Sequence, residues 1–465
     1  MLDLIFRRDG SLSPIGVSLV LLVGVCLYTA LHARASVNNT DAFAYIEGAI
    51  SLQDGKGYVS VSGVPLNHWP VAFAWLLSFF PDPLTATYWI NAASYSIVLL
   101  MLMRLGHQAG WSVTPLIGLT VALGAGFFYF IARIAMPDIL AYAVFFVCIY
   151  FVLHGGLLAR RFALVGLALL TLLKSIAVVF VPAIFLAELW RLGFANFWQR
   201  FIDYSLAGSA LLAVIVWTFA FNYHAIGEIL PSSHSAPTVE LFASEVVRFV
   251  QGFFRQFLAN WYGSIRSPIY LVTLMLVVIV GLFAFLSLRP TAQGRLLFES
   301  GIAILLLSWV LEFVRIYHAS PRLMGYGLCL LVLGCGVSQH FARRWVLYAC
   351  ASLASTIACV SLVPMDAANS ILYAKPLRDI QEKIPKREEL YSNSLRVVDI
   401  HVKRHARPIR SWSDVDEGGA GCVVELLAPN QDAVGVHVWP LPTPPKTWST
   451  HAENEMVRVL CRQKK

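Results

Sequence analysis

The residues able to do chemistry stand in or beside long apolar runs, where a charge is costly and is a functional candidate by default. Asp41 closely follows the first such run, within Asn39-Thr40-Asp41-Ala42-Phe43-Ala44-Tyr45-Ile46-Glu47-Gly48. A carboxylate at membrane level can face a cavity and take up a proton. An Asp ahead of an Ala/Tyr/Ile/Glu segment is equally a good helix cap. Asp138 ends Arg133-Ile134-Ala135-Met136-Pro137-Asp138, a link between two apolar runs. Arg133 and Asp138 either tighten that turn as an ion pair or belong, with Asp41, to a site for a polar substrate. Lys174, beside Ser175, interrupts the apolar run 162–186. A lysine so placed snorkels, pairs with a carboxylate or meets an anionic ligand. Arg315, His318 and Arg322 flank two late apolar runs and, together with Lys174, suit an anion site; snorkelling accounts for any one of them singly. In Pro65-Leu66-Asn67-His68-Trp69-Pro70, His68 either contacts a phosphate or sugar beside a rigid aromatic neighbour or sits in a loop anchored at an interface. Tyr45 and His68 are the substrate-contact candidates. Asp54-Gly55-Lys56-Gly57 reads as a plain turn. Glu299 and Glu312, inside an apolar run, read as helix-packing partners.

The elements that must position these residues are membrane spans. Of 465 residues, 58% are hydrophobic and 13% charged, against about 25% charged in a typical soluble domain. So few charges cannot cover a water-facing surface, and disorder, collagen, coiled coil and a small disulfide scaffold are excluded with it. The net charge of +8 suggests nucleic acid only if it forms a patch. Here the basic residues punctuate apolar runs, which is a topology signal and gives no nucleic-acid partner. Charge is also uneven along the chain: of 35 Lys+Arg and 27 Asp+Glu, 15 and 13 fall in 365–465. The expected organisation is a mainly α, polytopic transmembrane module, 1–364, followed by a small α/β domain, 365–465. In that domain 377–384 reads as helix, and 422–427 and 433–439 as strands.

A span needs about 20 residues to cross roughly 30 Å. Apolar runs place spans at 15–33, 85–103, 112–131, 138–153, 204–222, 270–288, 296–314, 322–339 and 345–363. The run 162–186 is either one span or a hairpin of two short helices meeting at Lys174. With Arg7 and Arg8 inside, only the hairpin keeps Arg104, Arg160, Arg161, Arg191, Arg200, Arg289, Arg295, Arg343 and Arg344 on the cytoplasmic side. Each hairpin arm is expected to be about 12 residues, roughly 18 Å, and too short to reach the far aqueous phase. The segments 34–84, 132–138, 223–268 and 315–321 then lie outside, as does 365–465. The long ones have room for surface helices, and Trp69, Trp75, Phe79 and Phe80 in the first suit a membrane interface. Ala33-Arg34-Ala35 imitates a signal-cleavage site, but the 17 apolar residues before it favour an uncleaved first helix. Cys26, Cys148, Cys329, Cys335, Cys350 and Cys359 fall in spans, whereas Cys422 and Cys461 fall in the outer domain, where their pairing stays open. None of the eight has metal-site spacing.

The chain carries no P-loop, no GxGxxG after a strand, no GxSxG elbow and no HExxH. Nucleotide-driven transport, nucleotide-cofactor chemistry and metalloprotease action are therefore disfavoured, and no cofactor or metal is expected. What the chain does carry, in order, is Asp41, then Gly57-Tyr58, Gly63-Val64-Pro65 and His68-Trp69-Pro70, then Ala132-Arg133 with Met136-Pro137-Asp138, then Leu172-Leu173-Lys174-Ser175 with Pro182. This series resembles the GT-C glycosyltransferases, and among them the group of dolichyl-phosphate-mannose protein mannosyltransferases and aminoarabinose lipid A transferases. The resemblance covers about 15–340.

The resemblance implies transfer of a sugar from a polyprenyl-phosphate donor to an extracytoplasmic acceptor, whether lipid, glycan or protein. It assigns a catalytic-base role to Asp41, a second catalytic acid to Asp138, and donor-phosphate contacts to Lys174, Arg322 and Arg133. Where the protein mannosyltransferases carry an Asp-Glu pair, this chain has Asp41-Ala42, which leaves the acceptor class open. Short termini and compact loops fit a bacterial inner membrane and the cell envelope, with an endoplasmic reticulum membrane the alternative. The rival functional reading is a transporter or flippase for a lipid-linked or anionic solute, which would also use intramembrane Lys and Arg. A non-catalytic assembly subunit is the third; it predicts that Asp41 and Lys174 are dispensable.

Overall fold

The structure is a computed structural model. It describes residues 13–31, 40–60, 65–66, 69–124, 128–132, 134–226, 291–313 and 321–334, and in the C-terminal region 376–377, 379–385, 389–393, 398, 402, 406–409, 412, 415, 421–427, 441–454 and 456–462. In chain order the α-helices are α1 (Pro14–Leu31), α2 (Thr40–Gln53), α3 (Val71–Ser78), α4 (Pro83–Gln108), α5 (Val113–Leu123), α6 (Tyr129–Ala132), α7 (Asp138–His154), α8 (Leu157–Leu169), α9 (Phe180–Phe197), α10 (Phe201–Ile226), α11 (Ala292–Phe313) and α12 (Pro321–Gly334). The strands are β1 (Glu389–Ser392), β2 (Ala406–Pro408), β3 (Gly421–Leu426), β4 (Trp448–Glu453) and β5 (Val457–Arg462). The protein is mainly helical with one small sheet. Among the described residues, Pro83–Gln108, Ser175–Gly193 and Phe201–His224 are long and apolar enough to cross a membrane. Shorter apolar helices lie at Pro14–Cys26, Asp138–His154 and Gly325–Gly334. The expected spans at 270–288 and 345–363, the loop 223–268 beyond the end of α10 and the strand at 433–439 lie outside the described residues.

The chain divides into two compact units: Met1–His32, Trp89–Ala132 and Pro137–Val363 in one, and Ala33–Tyr88, Arg133–Met136 and Pro364–Lys465 in the other. In the first, α7 is largely enclosed; Ile139, Tyr142, Phe145 and Phe146 are all buried. α8 buries Arg160, Ala163, Leu164, Leu167 and Ala168, the three-and-four spacing of one helix face. Its opposite face is also apolar, with Phe162 and Leu169 exposed, and α10 exposes Leu206, Leu212 and Val216. Helices that are apolar all round suit lipid on the side away from the core. α11 and α12 touch backbone to backbone. A Cβ on Gly301 would stand 2.7 Å from the Gly327 carbonyl oxygen, and one on Gly327 would stand 2.8 Å from that of Gly301, so glycine is required at both.

The run 162–186 is broken at Lys174, which is extended (φ −149°, ψ 116°) between 3-10 turns at Leu170–Leu172 and Ser175–Val179. The short-arm expectation is corrected here. The first arm runs from Leu157 through Leu172 and the second from Ser175 to Gly193, where the backbone turns left-handed (φ 68°). At 1.5 Å per residue or more, each arm is at least about 24 Å long. Apolar residues extend past the point where the basic residues suggest an end, so the arms outrun a reading based on charge alone.

In the second unit, α2 packs on α3, and the connection between them folds back onto α2. Gly55 (φ 71°) and Gly57 (φ 85°) make the expected turn. Tyr58 lies so close over Gly48 that a Cβ there would sit 2.3 Å from its ring. Val59 bridges Pro65, and Leu66 is buried. The C-terminal sheet has order β2-β1-β3-β5-β4. β1 runs parallel to β2 and β3, while β5 is antiparallel to β3 and β4. Tyr391, Ile409, Val415, Val423 and Leu460 form its core. Cys422 and Cys461 face each other on β3 and β5 and are joined by a disulfide, which resolves the open question of their pairing.

Candidate active site

In the second unit, Asp41 is the second residue of α2 and partly buried. Its Oδ1 accepts a hydrogen bond from Trp69 Nε1 at 3.1 Å. Trp69 is brought there by the folded-back connection, its own N–H donating to the Leu66 carbonyl oxygen at 3.3 Å. Tyr45, one turn along α2, is fully buried with its ring edge-on to Phe73 of α3 at 5.6 Å. Burial pushes the Tyr58 hydroxyl above its ordinary range, so it stays protonated at any physiological pH. His68 lies outside the described residues.

In the first unit, Asp138 is the first residue of α7 and Lys174 sits at the break between the two arms. Both are buried, at 1% and 7% exposure. Lys174 Nζ donates to Asp138 Oδ2 at 3.0 Å and lies 3.0 Å from Oδ1. α8 therefore runs back along the length of α7 and returns Lys174 to the end where α7 begins. A carboxylate in the first turn of a helix is also favoured by the helix dipole. Beside this pair is an aromatic cluster. Tyr142, one turn on from Asp138, stacks on Tyr326 of α12 at 3.8 Å, and Phe145 and Phe180 pack against the same Tyr326 ring. Arg322 falls in the first turn of α12, one turn ahead of Tyr326. The stack links α7 to α12 through their tyrosine side chains. Arg133, Arg315 and His318 lie outside the described residues.

The sequence reading missed one charged cluster. Arg160 donates from Nη2 to Glu188 Oε2 at 2.6 Å, from Nε to Asp203 Oδ2 at 3.4 Å, and from Nη1 to the Val152 carbonyl oxygen at 3.0 Å. Arg161 pairs with Asp203 at 2.7 Å, Arg200 with Glu188 at 2.8 Å, and the Tyr204 hydroxyl donates to Glu188 at 2.9 Å. The signal was present: Glu188 and Asp203 are acids in apolar surroundings within reach of three basic residues in sequence. By sequence pattern the arginines read as topology markers alone. Among the described residues, no group of three or more His, Cys, Asp or Glu suits a metal ion.

No family model matches the sequence, and no protein of curated function does so. Solved structures do match its fold. ArnT from Cupriavidus metallidurans bound to undecaprenyl phosphate is 14% identical with a TM-score of 0.51, over 97% of this chain and 98% of that one. The apo state of the same protein is 13% identical with a TM-score of 0.53, over 96% and 97%. Over nearly its whole length the chain shares the fold of ArnT.

Proposed function

We propose that the protein is a multi-pass membrane glycosyltransferase that moves a sugar from a polyprenyl-phosphate donor to an extracytoplasmic hydroxyl acceptor, with inversion at the anomeric carbon. The observation that carries this reading is the end-to-end likeness in fold to a transferase whose structure holds undecaprenyl phosphate. The acceptor oxygen attacks the anomeric carbon as the bond from that carbon to the phosphate oxygen breaks. The electron pair leaves on the polyprenyl phosphate, and Asp41 takes the acceptor's proton. Lys174, Arg322 and Arg133 stabilise the negative charge that develops on the phosphate. One carboxylate base is enough for a direct displacement, by analogy with inverting glycosidases. Asp138 holds Lys174 in place, His68 contacts substrate, and Tyr45 backs Asp41 from within the packing of α2 on α3.

Purified protein in lipid nanodiscs, a synthetic polyprenyl-phosphate sugar and a membrane extract as acceptor provide the test. Wild type should release free polyprenyl phosphate and label the acceptor fraction, and cells lacking the protein should accumulate the lipid-linked sugar. Asp41→Asn should lower turnover about 10²–10⁴-fold, the usual worth of a general base, while still binding donor. A helix cap would tolerate the change, because Asn caps about as well as Asp; near-normal turnover by the variant removes Asp41 from the chemistry. No transfer by wild type would overturn the transferase reading and favour a transporter.

A further inference from the structure

We propose that Trp69 is a positioning residue for Asp41. Its indole N–H holds Oδ1 and so fixes the orientation in which the carboxylate meets the acceptor's proton. The inference rests on the transferase reading above and adds to it a residue without which the base is present but misaimed. The carboxylate of Asp41 stands in the first turn of α2, where its own helix offers backbone N–H groups as caps. It nevertheless accepts from an indole 28 residues further along the chain, at 3.1 Å. An indole N–H donates and cannot accept, so the bond specifies the carboxylate's orientation with no exchange of donor and acceptor roles.

The indole is itself held in place by the fold. The connection that carries it is anchored two turns down α2, where Tyr58 lies over Gly48. It is closed on itself by the Val59–Pro65 bridge and by the bond from Leu66 N–H to the Tyr58 carbonyl oxygen at 3.2 Å. The Trp69 N–H bonds back to Leu66, and Pro70, with φ −58°, leads straight into α3. Side chain and backbone are thus both fixed relative to α2, the helix that carries Asp41. The indole that holds Asp41 is a neutral donor. A neutral donor orients a carboxylate without cancelling its charge, which suits a group that must accept a proton. Small errors of placement at a reacting group cost on the order of 10²-fold in rate.

The experiment replaces Trp69 with β-(3-benzothienyl)alanine, which keeps the ring's shape and exchanges N–H for sulfur, and separately makes Trp69→Phe. Turnover and donor KM are measured in nanodiscs for both, for Asp41→Asn, and for the double variant W69F/D41N. Both single changes at position 69 should lower kcat about 10–100-fold with donor KM within about twofold of wild type. In the Asp41→Asn background, Trp69→Phe should cost nothing further, because two residues acting as one unit are not additive. Wild-type kcat in the benzothienyl protein, or full additivity in the double variant, would assign Trp69 to packing and overturn the inference while leaving the transferase reading intact. If Trp69→Phe misfolds, the isosteric residue decides alone. An active Asp41→Asn variant, or an inactive wild type, removes the transferase reading or its base, and this inference with it.

Discussion

Lys174 has two duties in the proposed site, and they predict different mutant behaviour. It is the counter-ion of buried Asp138 at 3.0 Å, and it is a proposed contact of the donor phosphate. Lys174→Met leaves a buried carboxylate without its cation, which typically costs about 3–5 kcal/mol. Loss of activity in that variant alone is therefore ambiguous. Adding Asp138→Asn removes the stranded charge, and the double variant should regain most of the lost thermal stability. Its donor KM should nonetheless stay well above wild type. Recovery of both stability and donor KM would show that Lys174 serves only Asp138. The sequence made Lys174 conspicuous, because a cation inside an apolar run needs a reason. It did not make the partner conspicuous. The two residues are 36 positions apart, and their meeting depends on α8 running the length of α7, which local charge placement concealed. The Trp69–Asp41 bond was hidden similarly: both residues were visible as candidates, and only the folded-back connection joins them.

α8, α9 and α10 are tied together by the buried ion network around Arg160 rather than by apolar packing alone. Arg160 is 7% exposed and Glu188 and Asp203 are each 2% exposed. Three guanidinium groups share two carboxylates there. Arg160→Met keeps the bulk of the stem and strands part of that negative charge. It should destabilise the protein by about 3–5 kcal/mol, read as a large drop in thermal melting temperature in detergent. Arg161, whose side chain is 30% exposed, is closer to a surface pair, and Arg161→Met should cost only up to about 1 kcal/mol. Equal effects of the two substitutions would mean that the network is not where the helices are held. Helix identity at this scale was legible in the sequence. α1, α4, α7, α10, α11 and α12 all fall on apolar runs marked as spans. The network was not legible, because a basic pair beside an apolar run satisfies the topology rule whether or not it is also buried. Glu188 and Asp203 became meaningful only when α9 and α10 were seen to face α8.

For the whole molecule, the open quantity is which side of the membrane each end of the chain occupies, and the structure supplies two constraints on it. The first is parity. Two arms of at least about 24 Å, in place of a short hairpin, are still expected to carry the chain across and back. The basic clusters at Arg160-Arg161 and at Arg191 and Arg200 are then expected on the cytoplasmic side that the positive-inside rule assigns them. The longer arms also place Lys174 beside Asp138, at the end of α7 opposite those clusters, which is where the proposed extracytoplasmic site needs a cation. The second constraint is the Cys422–Cys461 disulfide. Such bonds persist in oxidising compartments and are rare in a reducing cytosol, so the C-terminal sheet is expected outside. Three readouts follow. A reporter that matures only in the cytoplasm, fused after Lys465, should be silent, and one that matures only outside should be active. In intact cells whose outer layer has been made permeable, an impermeant maleimide should label Cys422 and Cys461 only after an impermeant reductant is added. Cytoplasmic reporter activity with both cysteines free would invert the C-terminal half of the topology. Asp41, before the arms, and the sheet, after them, would then lie on opposite faces, and either the count of crossings or the returning arm pair would have to be abandoned.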